Sequence, residues 1–408
     1  MLSLTGFQKS DPWGSTTAVQ ELLGHSASAS PISEVWFGSH ADGPTSIGTS
    51  SLAKAISQDP KLALGKGVTY SFGAQLPFLA KIIAPAQALS LQVHPTKEIA
   101  REGYLREEAL SIPRDSPMRT YKDMNHKPEM IYALTDYEAL IGFRVPRKAR
   151  ELLEGLDGQV AEFLRRRLQL STVRGGLRSL IAWLFDPDTT LTANAIDEFA
   201  SACAHRLEAG NSPSPRTDQL IEKLALQYPG DPGVVVAFLM NPVSLRPGEV
   251  AYIPPRQIHS YQSGFGIEIM ATSDNVIRAG LTHKHVDATQ LVEIAEFSAL
   301  PPIRLAPEHP TPTTDRFLAP VQEFELSVTT LGERGAEAAG AVVVPGEGPR
   351  ILIATDGELE LQVSDTAHSD LFGPGVVTIR RGQAVFVAAT ERELTARGHG
   401  QTVQCAVP

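Results

Sequence analysis

The sequence predicts a mainly β protein: two double-sheet, barrel-like β units, with an α-helical segment inserted into the first. Three observations predict it. Short runs rich in Ile, Val, Phe and Tyr alternate with Pro and Gly punctuation through residues 1–147 and return after residue 228. Between 148 and 227 the texture changes to apolar residues at helical spacing. Finally, "RPGEVAYIPP" (246–255) is echoed by "RRGQAVFVAA" (380–389), each a basic residue, a glycine turn and a four-residue apolar strand. A strand after such a turn recurs in small double-sheet barrels.

The chain has 408 residues, enough for two or three domains and for a core without staples. A hydrophobic fraction of 42% and a charged fraction of 20% are those of a soluble globular protein. The net charge of −10 argues against a nucleic-acid partner but leaves room for a small anionic substrate, which needs only two or three placed cations. Two cysteines, Cys203 and Cys405, exclude a disulfide framework and a cysteine-rich zinc knuckle. The start "MLSLTGFQKSD" lacks the pattern of a secretion signal, and no apolar stretch reaches the length of a membrane span. A reducing cytoplasm, no membrane and no nucleic acid are the expectations.

In chain order, "TYSFGAQLPFLAKIIA", "ALSLQVHP" and "EMIYALTDYEALIGF" read as strands. "ARELLEGL", "AEFLRRRLQL", "LRSLIAWLF" and "AIDEFASACAHRLEAG" read as helices. In the last, Ile196, Phe199, Cys203 and Leu207 form one stripe, which makes Cys203 a core thiol rather than a nucleophile. "GVVVAFLM" (233–240) reads as a return to strands, and the proline-rich 301–317 as a linker or draped segment. The predicted units are 1–147 with 228–300, an insert at 148–227, and a C-terminal unit at 301–408.

The chemistry starts at "ALSLQVHPTK" (88–97). Strand side chains alternate, so Ser90, Gln92 and His94 share one face while Leu91 and Val93 point to a core. A half-exposed strand would show the same alternation. The metal reading adds Glu129 of "NHKPEMIYAL" and His259 of "PPRQIHSYQSG": two imidazoles, a carboxylate and an amide oxygen suit Zn²⁺ or a similar divalent ion. A neutral amide as fourth ligand leaves the metal and its ligands at net +1, which favours an anionic or polarised substrate oxygen. Only Gln92 and His94 are tied by spacing; Glu129 and His259 join by hypothesis. His283 and His285 offer a second pair two residues apart, with a solvent-facing loop as the plainer reading. His126 is either a neighbour of the site or exposed, and His25, His40, His205, His309, His368 and His399 read as surface groups. Lys81, Lys127, Arg256, Arg278 and Lys284 cluster around the same segments, and Lys127 shares a strand face with Glu129.

These motifs are similar to those of a known family. "LPFLAKIIAPAQALSLQVHPTK", "HKPEMIYAL", "YPGDPGVVVAFLMNPVSLRPGEVAYIPPRQIHSY" and "EIMATSDNVIRAGLTHKHVD", with "PWGS" and "PISEVWFGSHADGPT" before them, resemble type I phosphomannose isomerases in order from about residue 12 to 290. The resemblance implies cupin (jelly-roll) barrels with an inserted helical domain, and one Zn²⁺ per chain held by Gln92, His94, Glu129 and His259. It implies an essential arginine at Arg278, phosphate contacts at Lys81, Ser90 and Lys284, and pocket-lining polar groups at Lys127, Glu268 and Asp274. The implied reaction interconverts mannose 6-phosphate and fructose 6-phosphate through an enediol and feeds mannose metabolism and GDP-mannose synthesis. Lys127 and Glu268 both stand as proton carriers, and Asp274 would orient Arg278 or the sugar. Three positions depart from the family pattern: Arg256, Ser260 and His283.

A small-molecule sugar phosphate is thus the expected partner and a monomer the expected state. Two other classes compete. An iron-dependent cupin oxygenase would consume oxygen, and the cation cluster argues against it. A non-catalytic sugar-phosphate sensor would bind without turnover, and the ligand set with Arg278 argues against that.

Overall fold

The computed structural model describes residues 1–169, 173–186, 188–189, 191–332, 340–365 and 367–408. Sheets dominate, and each is open in its strand order. Strand alternation sorts the first unit into layers. In the seven-stranded sheet the order is Ile303–Leu305, Val250–Ile253, Glu129–Ala133, Gly266–Ala271, Phe78–Ile83, Glu34–Phe37, Phe7–Lys9. One face carries Phe78, Ala80, Ile82, Met130, Tyr132, Ile267 and Ile269, all packed in one core with Leu326, Ile351, Ile353 and Phe386 of the C-terminal sheet. The other face carries Glu34, Lys81, Glu129 and Glu268, which line a single cavity. Period two thus places a dry core and a charged site on opposite sides of one sheet.

A five-stranded sheet, ordered Met240–Leu245, Tyr137–Phe143, His259–Ser263, Gln92–Val93, Ile277–Arg278, closes the cavity from the other side. Ile83, Ile131, Ala139, Ile141, Ile253 and Tyr261 fill the space between the two sheets. The outer face of the five-stranded sheet, with Leu91, Val93, Leu140 and Ile277, rests on the helical cluster. Leu91 and Val93 are fully buried.

The helices run Pro146–Leu152, Gln159–Gln169, Val173–Leu184, Ala193–Glu208 and Pro215–Gln227. Ser214 caps the last through Thr217 N–H, and Pro215 sits at its first turn, where a missing N–H costs nothing. Cys203 is buried in this core, and burial pushes its thiol up to about 12, which removes it as a nucleophile. Arg206 donates from Nε to Asp218 (2.6 Å) and from Nη1 to the carbonyls of Leu152 and Glu154.

Several sequence expectations are corrected. Residues 1–147 also contain helices, Leu52–Gln58, Pro60–Phe72 and Lys97–Ala109 the longest. The stretch 69–84, read as strand and turn, is the end of the second of these helices, then the strand Phe78–Ile83. Asp59 starts that helix by accepting Leu62 N–H, with Pro60 following. "GVVVAFLM" is mostly a helix, Gly233–Phe238, buried on every side. A short run with no polar face has no period to read, and packing among helices decided it. The segment 301–317 is not a linker: Ile303–Leu305 edges the seven-stranded sheet, and Glu308–Thr311 with Thr314–Phe317 starts the C-terminal one. Pro310 is tolerated because its strand lies at a sheet edge.

The nine-stranded C-terminal sheet also pairs Ala384–Val387 with Leu2–Leu4 from the opposite end of the chain. The internal echo is structural. Gly248 and Gly382 both adopt positive φ (90° and 84°). Glu249 N–H donates to Arg246 O and Gln383 N–H to Arg380 O, at 2.9 and 2.8 Å. The side chains of Glu249 and Gln383 then each accept the N–H of that basic residue at 2.9 Å. One turn thus launches a strand in each β unit. Among the described residues, no helix is long and apolar enough to cross a membrane.

The Arg206–Asp218 pair gives a stability prediction. Asp218→Ala leaves a buried guanidinium without its carboxylate and should cost about 3–5 kcal/mol in denaturant unfolding, with the slope unchanged. A loss below about 1 kcal/mol would mean that the carbonyl contacts of Arg206 suffice.

Candidate functional site

Between the two sheets lies a cavity of about 60 Å³, lined by Glu34, Lys81, Gln92, Lys127, Glu129, His259, Ser260, Tyr261 and Glu268, with Ile83 and Leu89. His259 comes from the five-stranded sheet, where its Cα faces that of Gln92. Glu129 opens a strand of the other sheet. His94 lies just past the strand Gln92–Val93, followed by Pro95.

The carboxylate of Glu129 stands between the two imidazoles. Its Oε1 is 3.2 Å from His94 Nε2, and its Oε2 is 3.2 Å from His259 Nε2. Each ring is held from its other nitrogen: His94 Nδ1 is 2.7 Å from Asn275 O, and His259 Nδ1 is 3.0 Å from Gln257 O. A carbonyl only accepts, so each Nδ1 carries a proton, and in the neutral ring Nε2 then turns its lone pair to the carboxylate. Burial, then the Lys127 charge, pushes His94 down to about 4, so that ring is neutral. His94 Nε2 is buried and has no hydrogen-bond partner.

Two imidazole lone pairs facing a carboxylate repel one another unless a cation lies between them. His94, Glu129 and His259 converge closely enough to hold one. The group fits a divalent metal by its donor chemistry and by the orphaned Nε2 of His94. His94 is also fixed at its backbone, where its carbonyl accepts Arg256 N–H at 2.6 Å.

Charge around this core is arranged in pairs. Lys127 Nζ is 2.9 Å from Glu129 Oε1; Lys81 Nζ is 2.9 Å from Glu268 Oε2 and 3.7 Å from Glu34 Oε1. Burial alone would raise the Glu129 carboxyl, but the Lys127 charge beside it holds it well below the usual range. Glu268 goes the other way: burial raises it and the Glu129 charge adds to the rise, against the pull of Lys81. Burial would lower Lys81, yet Glu268 and Glu34 raise it, so it is a permanent cation. Tyr261 Oη lies 3.5 Å from Glu129.

Six of the site residues named from sequence therefore line one cavity, Lys81, Gln92, Lys127, Glu129, His259 and Glu268, together with the departing Ser260. His94 joins them through Glu129. Four stand outside its walls. Ser90 accepts the Gln92 amide N–H at 3.4 Å. Arg278 is half-buried, with its Cα opposite Gln92. Lys284 lies in an exposed loop, and partial burial of its ammonium, then the Arg278 charge, lowers its pKa. Asp274 pairs with His40 (3.3 Å) and Arg114 (3.1 Å) instead of with Arg278.

His40 is thus a buried residue, not the surface group its polar context suggested, and it meets Trp36 edge-on at 5.1 Å. His126 is tied to Glu323 at 2.8 Å, while His283 and His285 lie in an exposed loop. Arg256 turns its Nε to Ile294 O, away from the cavity, and adopts φ 72°. Ser260 donates to Leu89 O. Sequence reasoning missed Glu34, Trp36, Tyr261 and Asn275. Glu34 and Trp36 lie two apart on one strand face, a spacing signal of the same kind that linked Gln92 and His94.

Comparison with known proteins gives the same picture. The family model of phosphomannose isomerase type I, catalytic domain, matches residues 1–146. The chain is 33% identical over 399 residues to a mannose-6-phosphate isomerase of Escherichia coli (strain K12), covering 95% of both chains. It is 32% identical over 376 residues to mannose-6-phosphate isomerase 1 of Arabidopsis thaliana, covering 88% of this chain and 81% of that one. Among solved structures, a mutant of phosphomannose isomerase from Salmonella typhimurium superposes with a TM-score of 0.88 at 30% identity, over 100% of this chain and 99% of that one. A mannose 6-phosphate isomerase bound with zinc and yttrium superposes at 0.87 with the same identity and coverage.

Glu129→Gln tests the metal group directly. It should lower zinc retention by roughly 10-fold or more in metal analysis after desalting, because the amide cannot balance the ion's charge. Retention equal to the unmodified chain would remove Glu129 from the ligand set.

Proposed function

The chain belongs to the type I phosphomannose isomerase family, and on that premise we propose that it interconverts mannose 6-phosphate and fructose 6-phosphate with zinc as its cofactor. The observation that carries the reading is the facing of His94, Glu129 and His259 beside two lysine–carboxylate pairs. His94, Glu129 and His259 would hold the metal, and Gln92, on the same cavity wall, would offer an amide oxygen as the fourth ligand. A divalent ion held there would supply Lewis-acid chemistry, polarising sugar oxygens and offsetting negative charge next to the reacting carbons.

The isomerisation removes a proton from C2 of the open-chain aldose and returns it to C1. The carbon acid is weak, so charge developing on the enediolate must be met by fixed cations. Lys127 and Lys81 stand within the cavity for that purpose. Of the two proton carriers considered, Glu268 has the stronger support. Its carboxyl is raised by burial and by Glu129, so it accepts a proton more readily than an ordinary carboxylate. Lys127 is engaged with Glu129 at 2.9 Å and serves charge balance.

The cavity has room for only a few waters, so the bulk of a hexose phosphate lies toward the mouth. Arg278 and Lys284 lie outside the cavity walls and close enough for the charge of one to lower the pKa of the other. Arg278 assists ring opening and steadies the sugar oxyanion, being permanently charged. Lys284 and Ser90 are the phosphate contacts. Lys81, held between two carboxylates, serves the reacting end better than the phosphate. Asp274 acts on the site through the loop that carries it rather than by touching Arg278.

The paired sheets and the shared turn support two cupin-like β units, the first interrupted by helices at 148–227. The C-terminal unit backs the catalytic sheet. Two buried free thiols fit a reducing cytoplasm, and a monomer suffices, since every group invoked comes from one chain.

A coupled assay from mannose 6-phosphate to fructose 6-phosphate should lose activity on chelation and regain it with stoichiometric zinc. Activity indifferent to the chelator would overturn the zinc reading; oxygen uptake with iron would favour the oxygenase. Arg278→Ala should lower kcat by about 10²–10³ at unchanged zinc content. Glu268→Gln should lower kcat with KM little changed, and near-normal kcat would return the proton to Lys127.

A further inference from the structure

Residues 272–276 carry the chain from the seven-stranded sheet, which it leaves at Ala271, to the five-stranded sheet, which it enters at Ile277. This crossover has no ladder of its own, so side chains must set its conformation. At its centre is Asn275, fully buried. Its Oδ1 accepts the N–H groups of Lys122 (2.7 Å) and Asp123 (3.2 Å). Its Nδ2 donates to the carbonyls of Asp123 and Asn125, both at 2.8 Å, and to Asp123 Oδ1 at 3.2 Å.

Asp123 answers in kind. It accepts Asn125 N–H (2.9 Å), Ser273 Oγ–H (2.9 Å) and Asp274 N–H (2.8 Å). Ser273 Oγ in turn accepts Asn275 N–H at 3.2 Å. The result is a closed knot between the crossover and segment 122–125. The carbonyl of Asn275, aimed by that knot, receives His94 Nδ1–H at 2.7 Å. Two residues beyond Asn125 stands Lys127, and two beyond that Glu129.

We propose that Asn275 is a positioning residue, which through this knot fixes the tautomer and aim of His94 and seats the segment that delivers Lys127 and Glu129. One amide thereby couples metal affinity to the placement of the cation beside it. The inference rests on the metal reading given above. The carbonyl that holds His94 is main chain, so substitution acts by releasing its direction. Removing such an outer partner of a metal-ligating histidine typically costs 10- to 100-fold in affinity.

The test uses the full chain and zinc alone as probe. Asn275→Ala should weaken zinc binding by about 10- to 100-fold in a chelator competition. In zinc-free protein, the ¹⁵N resonances of His94, assigned through His94→Gln, should show one Nδ1–H tautomer. In Asn275→Ala they should show a mixture of both. Leu164→Ala, in the helical core, should lose stability while keeping zinc affinity and the single tautomer. Should Asn275→Ala fail to fold, Ser273→Ala removes one strand of the knot and should shift both readouts in the same direction by a few-fold. Unchanged affinity and an unchanged tautomer in the folded variant would overturn the proposal, as would an equal loss in Leu164→Ala. If the unmodified chain binds no zinc, the metal reading fails, and the tautomer readout still decides the role of Asn275.

Discussion

A buried carboxylate faced by two imidazole lone pairs is the constraint on which the rest of the structure depends. Glu129 cannot sit 3.2 Å from both His94 Nε2 and His259 Nε2 without positive charge to hold the three together. Everything near it supplies that charge or fixes the donors. Lys127 approaches Glu129 from within the cavity, and two backbone carbonyls turn the imidazoles to present their lone pairs. Zinc is the natural completion: the cavity's charged side chains leave one negative charge in excess, and a divalent ion turns that into one positive charge, which suits an anionic or polarised substrate oxygen. Three carboxylates, Glu34, Glu129 and Glu268, line the cavity with only two ammonium groups, Lys81 and Lys127.

The same charges divide the carboxylates by role. Glu129, beside Lys127, is held in the ionised form that the proposed metal ligand needs. Glu268 meets one lysine, and burial with a like-charged neighbour leaves it readier to take a proton. Two glutamates of one sheet face, about one strand apart, thus part company through their neighbours alone. Lys81 joins the two sides of this arrangement, since Glu34 and Glu268 both hold it in place.

Such a site needs a rigid frame, and the fold builds one from layers. The seven-stranded sheet is backed by the C-terminal sheet, and the five-stranded sheet by the helices. The strands Glu129–Ala133 and His259–Ser263 are buried nearly throughout, so the groups they carry sit on elements locked from behind. The C-terminal unit repeats the glycine turn, lacks the histidine that follows it in the first unit, and packs behind the seven-stranded sheet. The N-terminal strand Leu2–Leu4 ties the two β units together by pairing in the second.

By itself, the sequence determined the alternation that sends Leu91 and Val93 to a core and turns Gln92 to the cavity and His94 to Glu129, because strand periodicity is local. It also determined the helical stripe through Cys203 and the turn shared by residues 246–255 and 380–389. What it could not carry depends on contacts distant in the chain. The helix Gly233–Phe238 was illegible because a uniformly apolar run has no period, and its neighbours chose its conformation. Lys81 was legible as a cation but not as the partner of Glu268 and Glu34, and His40 not as a buried partner of Asp274, since those pairings arise only when strands adjoin. The knot around Asn275 joins residues some 150 positions apart, so tertiary structure alone decided it. Residue types and their faces are written locally; which charge meets which, and hence what each group can do, is settled by the packing of sheets.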